Sequence, residues 1–158
     1  MIKYRVVDVK SDFQITALGV ELGEFNDFIG NAKKVAARLA EIEGNGDLAG
    51  LMKLRERDIN FVVNYVINGK PWRGFGVLGS FNYKDAQILD FLKGNYIVAY
   101  LTNNNKEKIV DELTNEVFNN LLPTITDYNY VGPGNSSFIL DNGDGTYTAE
   151  MWLRAAKR

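Results

Sequence analysis

A chain of 158 residues, 46% hydrophobic and 24% charged, has the size and balance of one globular domain rather than a disordered segment, so a single domain over residues 1–158 is expected. Its 18 Lys and Arg against 20 Asp and Glu leave a net charge of -2, which offers no overall attraction to phosphate backbones or anionic lipid and predicts no direct nucleic acid partner and no membrane partner. The chain has no His and no Cys, which removes imidazole bases, thiol nucleophiles, disulfides and Cys/His metal sites; no metal and no cofactor are expected, and any chemistry must use carboxylates, hydroxyls, amines or binding alone.

The N-terminal residues Met1-Ile2-Lys3-Tyr4-Arg5 are charged from the start and open no apolar run long enough for a signal or a span, which predicts a soluble cytoplasmic protein. Tyr4 to Val9 and Phe13 to Val20 are β-rich runs parted by the polar Lys10-Ser11-Asp12, and they suggest an opening strand pair. From Asn26 the period becomes helical, with Phe28, Ala32, Val35, Ala36, Leu39 and Ile42 as the apolar stripe and Gly44-Asn45-Gly46 as the stop. Leu51 to Glu56 is ambiguous between strand and helical turn. Phe61 to Ile67 is a strand by its aromatic and β-branched density, and Asn68-Gly69 turns it back into a return strand from Trp72 to Leu78.

A less regular stretch, Ser80 to Lys93, leads to the strand Ile97 to Leu101. Asn104 and Glu107 have the spacing of a capping box, after which Ile109, Val110, Leu113, Val117 and Leu121 mark a second helix that Pro123 ends. Three closing runs follow, Ile125 to Tyr130, Ser137 to Leu140 and Thr146 to Leu153, with Asn135-Ser136-Ser137 read as a polar loop. The two helices begin about half a chain apart, each preceded by a strand and followed by strands. That spacing predicts an α+β fold built from duplicated strand-helix-strand-strand units, with a mostly antiparallel sheet and helices on one face.

Two motifs invite readings that their context disfavours. Gly74-Phe75-Gly76-Val77-Leu78-Gly79 matches a dinucleotide fingerprint, but it falls on a return strand with no amphipathic helix directly after it, so strand glycines that allow close packing fit better. Asp141-Asn142-Gly143-Asp144-Gly145 resembles a calcium loop, yet position twelve of that loop would be Trp152 rather than Glu, and a hairpin linker is the simpler reading.

The last strand carries the functional signal. Alternation puts Tyr147, Ala149, Met151 and Leu153 on one face and Thr148, Glu150, Trp152 and Arg154 on the other. The first face suits the helices; the second places a carboxylate beside an indole, a pairing suited to a flat cationic organic ligand. The alternative is a surface strand on which Glu150 pairs with Arg154. Tyr65, Trp72, Phe75, Tyr96 and Tyr100 lie on other predicted strands, and if Tyr96, Val98 and Tyr100 face the same way as Glu150 and Trp152, they line an aromatic cleft.

Gly94-Asn95-Tyr96-Ile97-Val98, Phe118-Asn119-Asn120-Leu121-Leu122-Pro123 and Glu150-Met151-Trp152-Leu153 occur in this order across the second half. With them the chain resembles the GyrI-like family, the effector-binding domains of AraC-type and multidrug-responsive regulators that also occur as stand-alone integron-cassette proteins. The resemblance implies two strand-helix-strand-strand units related by a pseudo-twofold and a concave sheet holding a hydrophobic, often cationic, small-molecule ligand near a glutamate, here Glu150. It also implies two other functions: some relatives of the fold are hydrolases of reactive cyclopropanoid compounds, which would make Glu150 a general base, and gyrase-inhibitor relatives imply a protein partner. A homodimer is compatible with each. No helix-turn-helix segment stands out, so a regulatory role would act through a partner or by sequestering the ligand.

Overall fold

β1 (Lys3–Val9) and β2 (Phe13–Glu21) follow one another across three polar residues, yet they are not hairpin partners. Asp12 directs its carboxylate away from a turn: Oδ1 accepts the Lys93 N–H at 2.8 Å, and β1 lies antiparallel to the strand that starts at Gly94. The expected opening pair is therefore replaced by two separate pairings. The computed structural model describes residues 2–158, which gather into two compact units, a central one from Phe13 to Phe91 and a terminal one formed by residues 2–12 with Leu92–Arg158.

In the central unit β2 is followed by α1 (Phe28–Gly44), α2 (Asp47–Met52), β3 (Phe61–Ile67), β4 (Lys70–Leu78) and β5 (Gln87–Phe91). The terminal unit consists of β1, β6 (Gly94–Asn103), α3 (Ile109–Glu116), β7 (Tyr128–Asp141) and β8 (Tyr147–Lys157). Its strand order is β7-β8-β6-β1, and that of the central unit is β3-β4-β2-β5, antiparallel throughout. The same strand-helix-strand-strand sequence thus folds twice with the same order, each time gaining one edge strand, β5 or β1. This is the α+β duplication that the helix spacing predicts. Among the described residues no helix is long and apolar enough to cross a membrane.

The β3–β4 hairpin forms as its Asn-Gly pair dictates, with Asn68 and Gly69 at φ of 54° and 77°, the left-handed geometry that matches strand twist. Ile42, Leu48 and Leu51 from the two helices pack on Leu18 and Val77. The predicted α1 stripe is only partly used: Phe28 is 74% exposed, and Ala32 and Ala36 are exposed as well. Val35, Leu39 and Ile42 are the less exposed part of the stripe, and between them Arg38 donates to the Gly19 carbonyl and the Asp85 carboxylate at 3.0 Å each. Leu51, in the ambiguous segment, is on α2, and the irregular stretch before Lys93 contains β5.

In the terminal unit Ile109, Leu113, Val117 and Leu121 pack on Ile97, Ala99, Leu101, Ala149, Met151 and Leu153, so the predicted second helix stripe and the inward face of the last strand meet. α3 widens into a π turn over Val117–Leu121 and ends in a 3-10 turn that accommodates Pro123. The capping box does not form. The helix starts at Ile109 without a side-chain cap, and Asn103 binds the Asn105 N–H and the Glu112 carboxylate. Two of the three closing runs merge into the single strand β7, whose register shifts between Tyr130 and Asn135. Asn135, Ser136 and Ser137 are consequently buried strand residues, not a polar loop.

Both tempting motifs resolve into backbone architecture. Gly74 pairs across the ladder with Gly19, and a methyl on either would run into the Trp72 indole, so together they form a flat floor for that ring. Gly76 leaves room for Thr16 and Ala17 of β2, and β4 leads to β5, not to a helix. In the β7–β8 linker Asp141 accepts the Gly143 N–H and Asp144 accepts the Thr146 N–H and hydroxyl, while Gly143 and Gly145 adopt φ of 80° and 87°. Its carboxylates are engaged in holding the turn.

Candidate functional site

The helix-free face of the terminal unit is assembled by ladder register. Directly opposed residues share a face, so Tyr100, Glu150 and Phe138 form one row across β6, β8 and β7. Arg5, Val98, Trp152 and Ser136 form the next, and Val7, Tyr96 and Arg154 a third. The expectation that Tyr96, Val98 and Tyr100 face the same way as Glu150 and Trp152 holds.

Glu150 is the acid in the middle row, its side chain only 14% exposed. Its Oε1 accepts the Trp152 indole N–H at 3.2 Å and lies 3.4 Å from Nη2 of Arg5. Arg5 reaches it from the edge strand by crossing β6, and its guanidinium carbon sits 5.6 Å from the centre of the Tyr100 ring. The carboxylate thus has an indole on its own strand, Tyr100 and Phe138 as cross-strand neighbours, and one cation reaching in from the edge. Such a group can neutralise a positive charge while flat rings cover it.

Tyr96 is fully buried and inclined against Trp152, with ring centres 6.0 Å apart, and its hydroxyl donates to the Leu92 carbonyl at 2.7 Å. It supports the indole from below. The surface-strand alternative fails in one specific: Arg154 donates to the Lys93 carbonyl at 3.4 Å, and the cation paired with Glu150 is Arg5.

Tyr65, Trp72 and Phe75 belong to the central unit. Tyr65 and Trp72 are cross-strand partners on its helix-free face. Trp72 is 7% exposed on its glycine floor; Tyr65 packs edge-on to Phe91 at 5.5 Å and donates to the Asp90 carbonyl at 2.6 Å. Burial and the nearby Asp90 charge push the Tyr65 phenol above its ordinary pKa, a rise partly offset by the hydrogen bond. Phe75 corrects the expectation, because it packs against the Leu18, Ile42, Leu48, Leu51 and Val77 core under the helices. It lies three positions after Trp72, and an odd offset on a regular strand puts two side chains on opposite faces.

Arg5 is the residue that sequence reasoning missed. The alternation of Lys3, Arg5 and Val7 against Tyr4 and Val6 was available, but its meaning depends on β1 lying beside β6 rather than β2.

No protein-family model matches the sequence, and no curated protein matches it. Solved structures do share the fold. The chain is similar to SAV2435, solved bound to tetraphenylphosphonium, with a TM-score of 0.72 and 14% identity over 98% of this chain and 94% of that one. It is also similar to an integron cassette protein from the mobile metagenome of Vibrio cholerae, with a TM-score of 0.66 and 13% identity over 98% and 95%. A Staphylococcus aureus MU50 protein linked to bacterial transcription regulation gives 0.67 and 15% over 98% and 97%. At these identities the likeness establishes a common fold.

Proposed function

We propose that the chain binds a lipophilic, cationic, aromatic small molecule at the Glu150–Trp152 face, as an effector-binding domain of the GyrI-like kind. The observation that carries this reading is the Glu150 carboxylate, sheltered to 14% exposure and flanked by Trp152, Tyr100 and Phe138. A carboxylate shielded from water attracts a cation more strongly than an exposed one, and the adjoining rings add stacking area and cation–π attraction for an aromatic ligand. The shared fold with SAV2435, whose structure holds the lipophilic cation tetraphenylphosphonium, supports the ligand class.

Tetraphenylphosphonium and tetraphenylborate have nearly the same shape and opposite charge, so titrating the protein with each while following tryptophan fluorescence tests the reading. Saturable quenching by the cation, with the anion at least about tenfold weaker, is the expected result. Equal response to both ions, or none to either, would refute it.

A further inference from the structure

We propose that Arg5 is a built-in competitor for this site: its guanidinium holds the place of the ligand's cation in the free protein, and the ligand binds by exchanging with it. The inference rests on the reading above. Arg5 touches the two groups that a lipophilic aromatic cation would seek, the Glu150 carboxylate at 3.4 Å and the Tyr100 ring at 5.6 Å. It is a weak occupant. The contact is single-pronged and longer than the 2.7–2.9 Å usual for charge-assisted pairs, and the Arg5 side chain is 47% exposed, so it can return to water at little cost. The other cations placed on this face by register are Lys3, beside Tyr100, and Arg154, beside Tyr96 and bonded to the Lys93 carbonyl. Among the described residues, Arg5 alone forms an ion pair with Glu150.

Exchange gives the site a selectivity that a bare carboxylate would lack. A small hydrated cation replacing Arg5 swaps one ion pair for another and gains nothing, whereas a bulky apolar cation adds the burial of its own rings. Arg5 is thus a specificity-determining residue that raises the threshold for binding. It also predicts that Glu150 is never left facing the ligand site without a positive partner.

The test is a double-mutant cycle with tetraphenylphosphonium as probe, using wild type, Arg5→Gln, Glu150→Gln and the double variant, each checked for folding by circular dichroism. Arg5→Gln should bind about fivefold more tightly than wild type, the equivalent of about 1 kcal/mol for a half-exposed ion pair. In the Glu150→Gln background the same change should alter affinity by less than about twofold, because the ion pair is gone and only the Tyr100 ring contact is left for Arg5 to compete through. Arg5→Gln should also make binding more sensitive to potassium chloride, since potassium then meets an unoccupied carboxylate. Arg5→Met, which keeps the aliphatic stem, should repeat the gain should Gln perturb the edge strand. Unchanged or weaker binding in both Arg5 variants, with affinity still lost in Glu150→Gln, would overturn the competitor role and leave the Glu150 reading standing. No cation binding by wild type or by either Arg5 variant would overturn both.

Discussion

Glu150→Gln separates a binding role from a structural one because the structure assigns the two effects different sizes. Glutamine keeps the side-chain volume and still offers an acceptor to the Trp152 indole N–H, 3.2 Å away in the native protein. What folding loses is the Arg5 ion pair, at 3.4 Å with Arg5 47% exposed, which solvent screening limits to about 0.2–1 kcal/mol. The penalty for sheltering a carboxylate falls away at the same time, so the net change in stability should stay below about 1 kcal/mol, a Tm shift of no more than about 4 °C at this chain length. Binding should respond more strongly. Losing a desolvated charge contact with a cation costs about 1.4 kcal/mol or more, at least about tenfold in Kd, while a tetraphenylborate titration should show no comparable loss. Urea denaturation and a tryptophan-fluorescence titration on the same samples measure both quantities. Equal tetraphenylphosphonium affinity in wild type and variant would refute the role given to Glu150, and a stability loss beyond about 3 kcal/mol would show that the carboxylate holds the sheet together.

Gly74→Ala drives a methyl into the Trp72 indole and should cost about 1–3 kcal/mol in urea denaturation, the range for overpacking; wild-type stability would mean that the glycine floor is not needed. Phe75→Ala should destabilise by about 3 kcal/mol through the helix-facing core and leave the Kd of the folded protein for tetraphenylphosphonium unchanged, and a weakened Kd would return Phe75 to the ligand site. Tyr130 has its phenol pKa raised, chiefly by burial and against a lowering hydrogen bond from Asn135. The folded state therefore keeps a proton that the unfolded chain releases near about pH 10, so the corresponding stability is complete below that pH and is lost as pH rises towards the folded pKa. Tyr130→Phe should flatten this alkaline decline, read as the urea midpoint at neutral pH and just above pH 10, and an unchanged slope would refute the assignment.

What could be read from the sequence was local. The Asn68-Gly69 turn carries its conformation in two residues, the helix stripe from Ile109 to Leu121 repeats at helical spacing, and the two faces of β8 follow from alternation alone. Phe75 was legible too: counting from Trp72 assigns it to the opposite face, and aromatic content grouped what strand geometry separates. The rest depended on long-range pairing. A run such as Tyr4 to Val9 says that a strand forms but not which strand it joins, and the choice of β6 over β2 decides whether Arg5 meets Glu150 at all. Asn135-Ser136-Ser137 looked like a loop because glycine, proline and small polar residues signal turns, and only the interrupted ladder of β7 accommodates them inside a strand.

Stability alone gives little reason for a glutamate at position 150. Its cross-strand neighbours are Tyr100 and Phe138, its exposure is low, and its ion pair with Arg5 is long and open to water on the arginine side. Replacing a sheltered, weakly compensated charge with an apolar side chain of similar volume is commonly neutral or stabilising, so a residue chosen for folding would be leucine or methionine. β6 and β8 otherwise obey their local rules, with apolar residues towards α3 and a continuous antiparallel ladder between them. A carboxylate that departs from these rules, while its neighbours supply an indole, a phenol and a guanidinium, is where a function is expected to reside. The proposed exchange mechanism accounts for all four groups together: the carboxylate attracts, the rings select for an aromatic cation, and the arginine keeps the charge satisfied until one arrives.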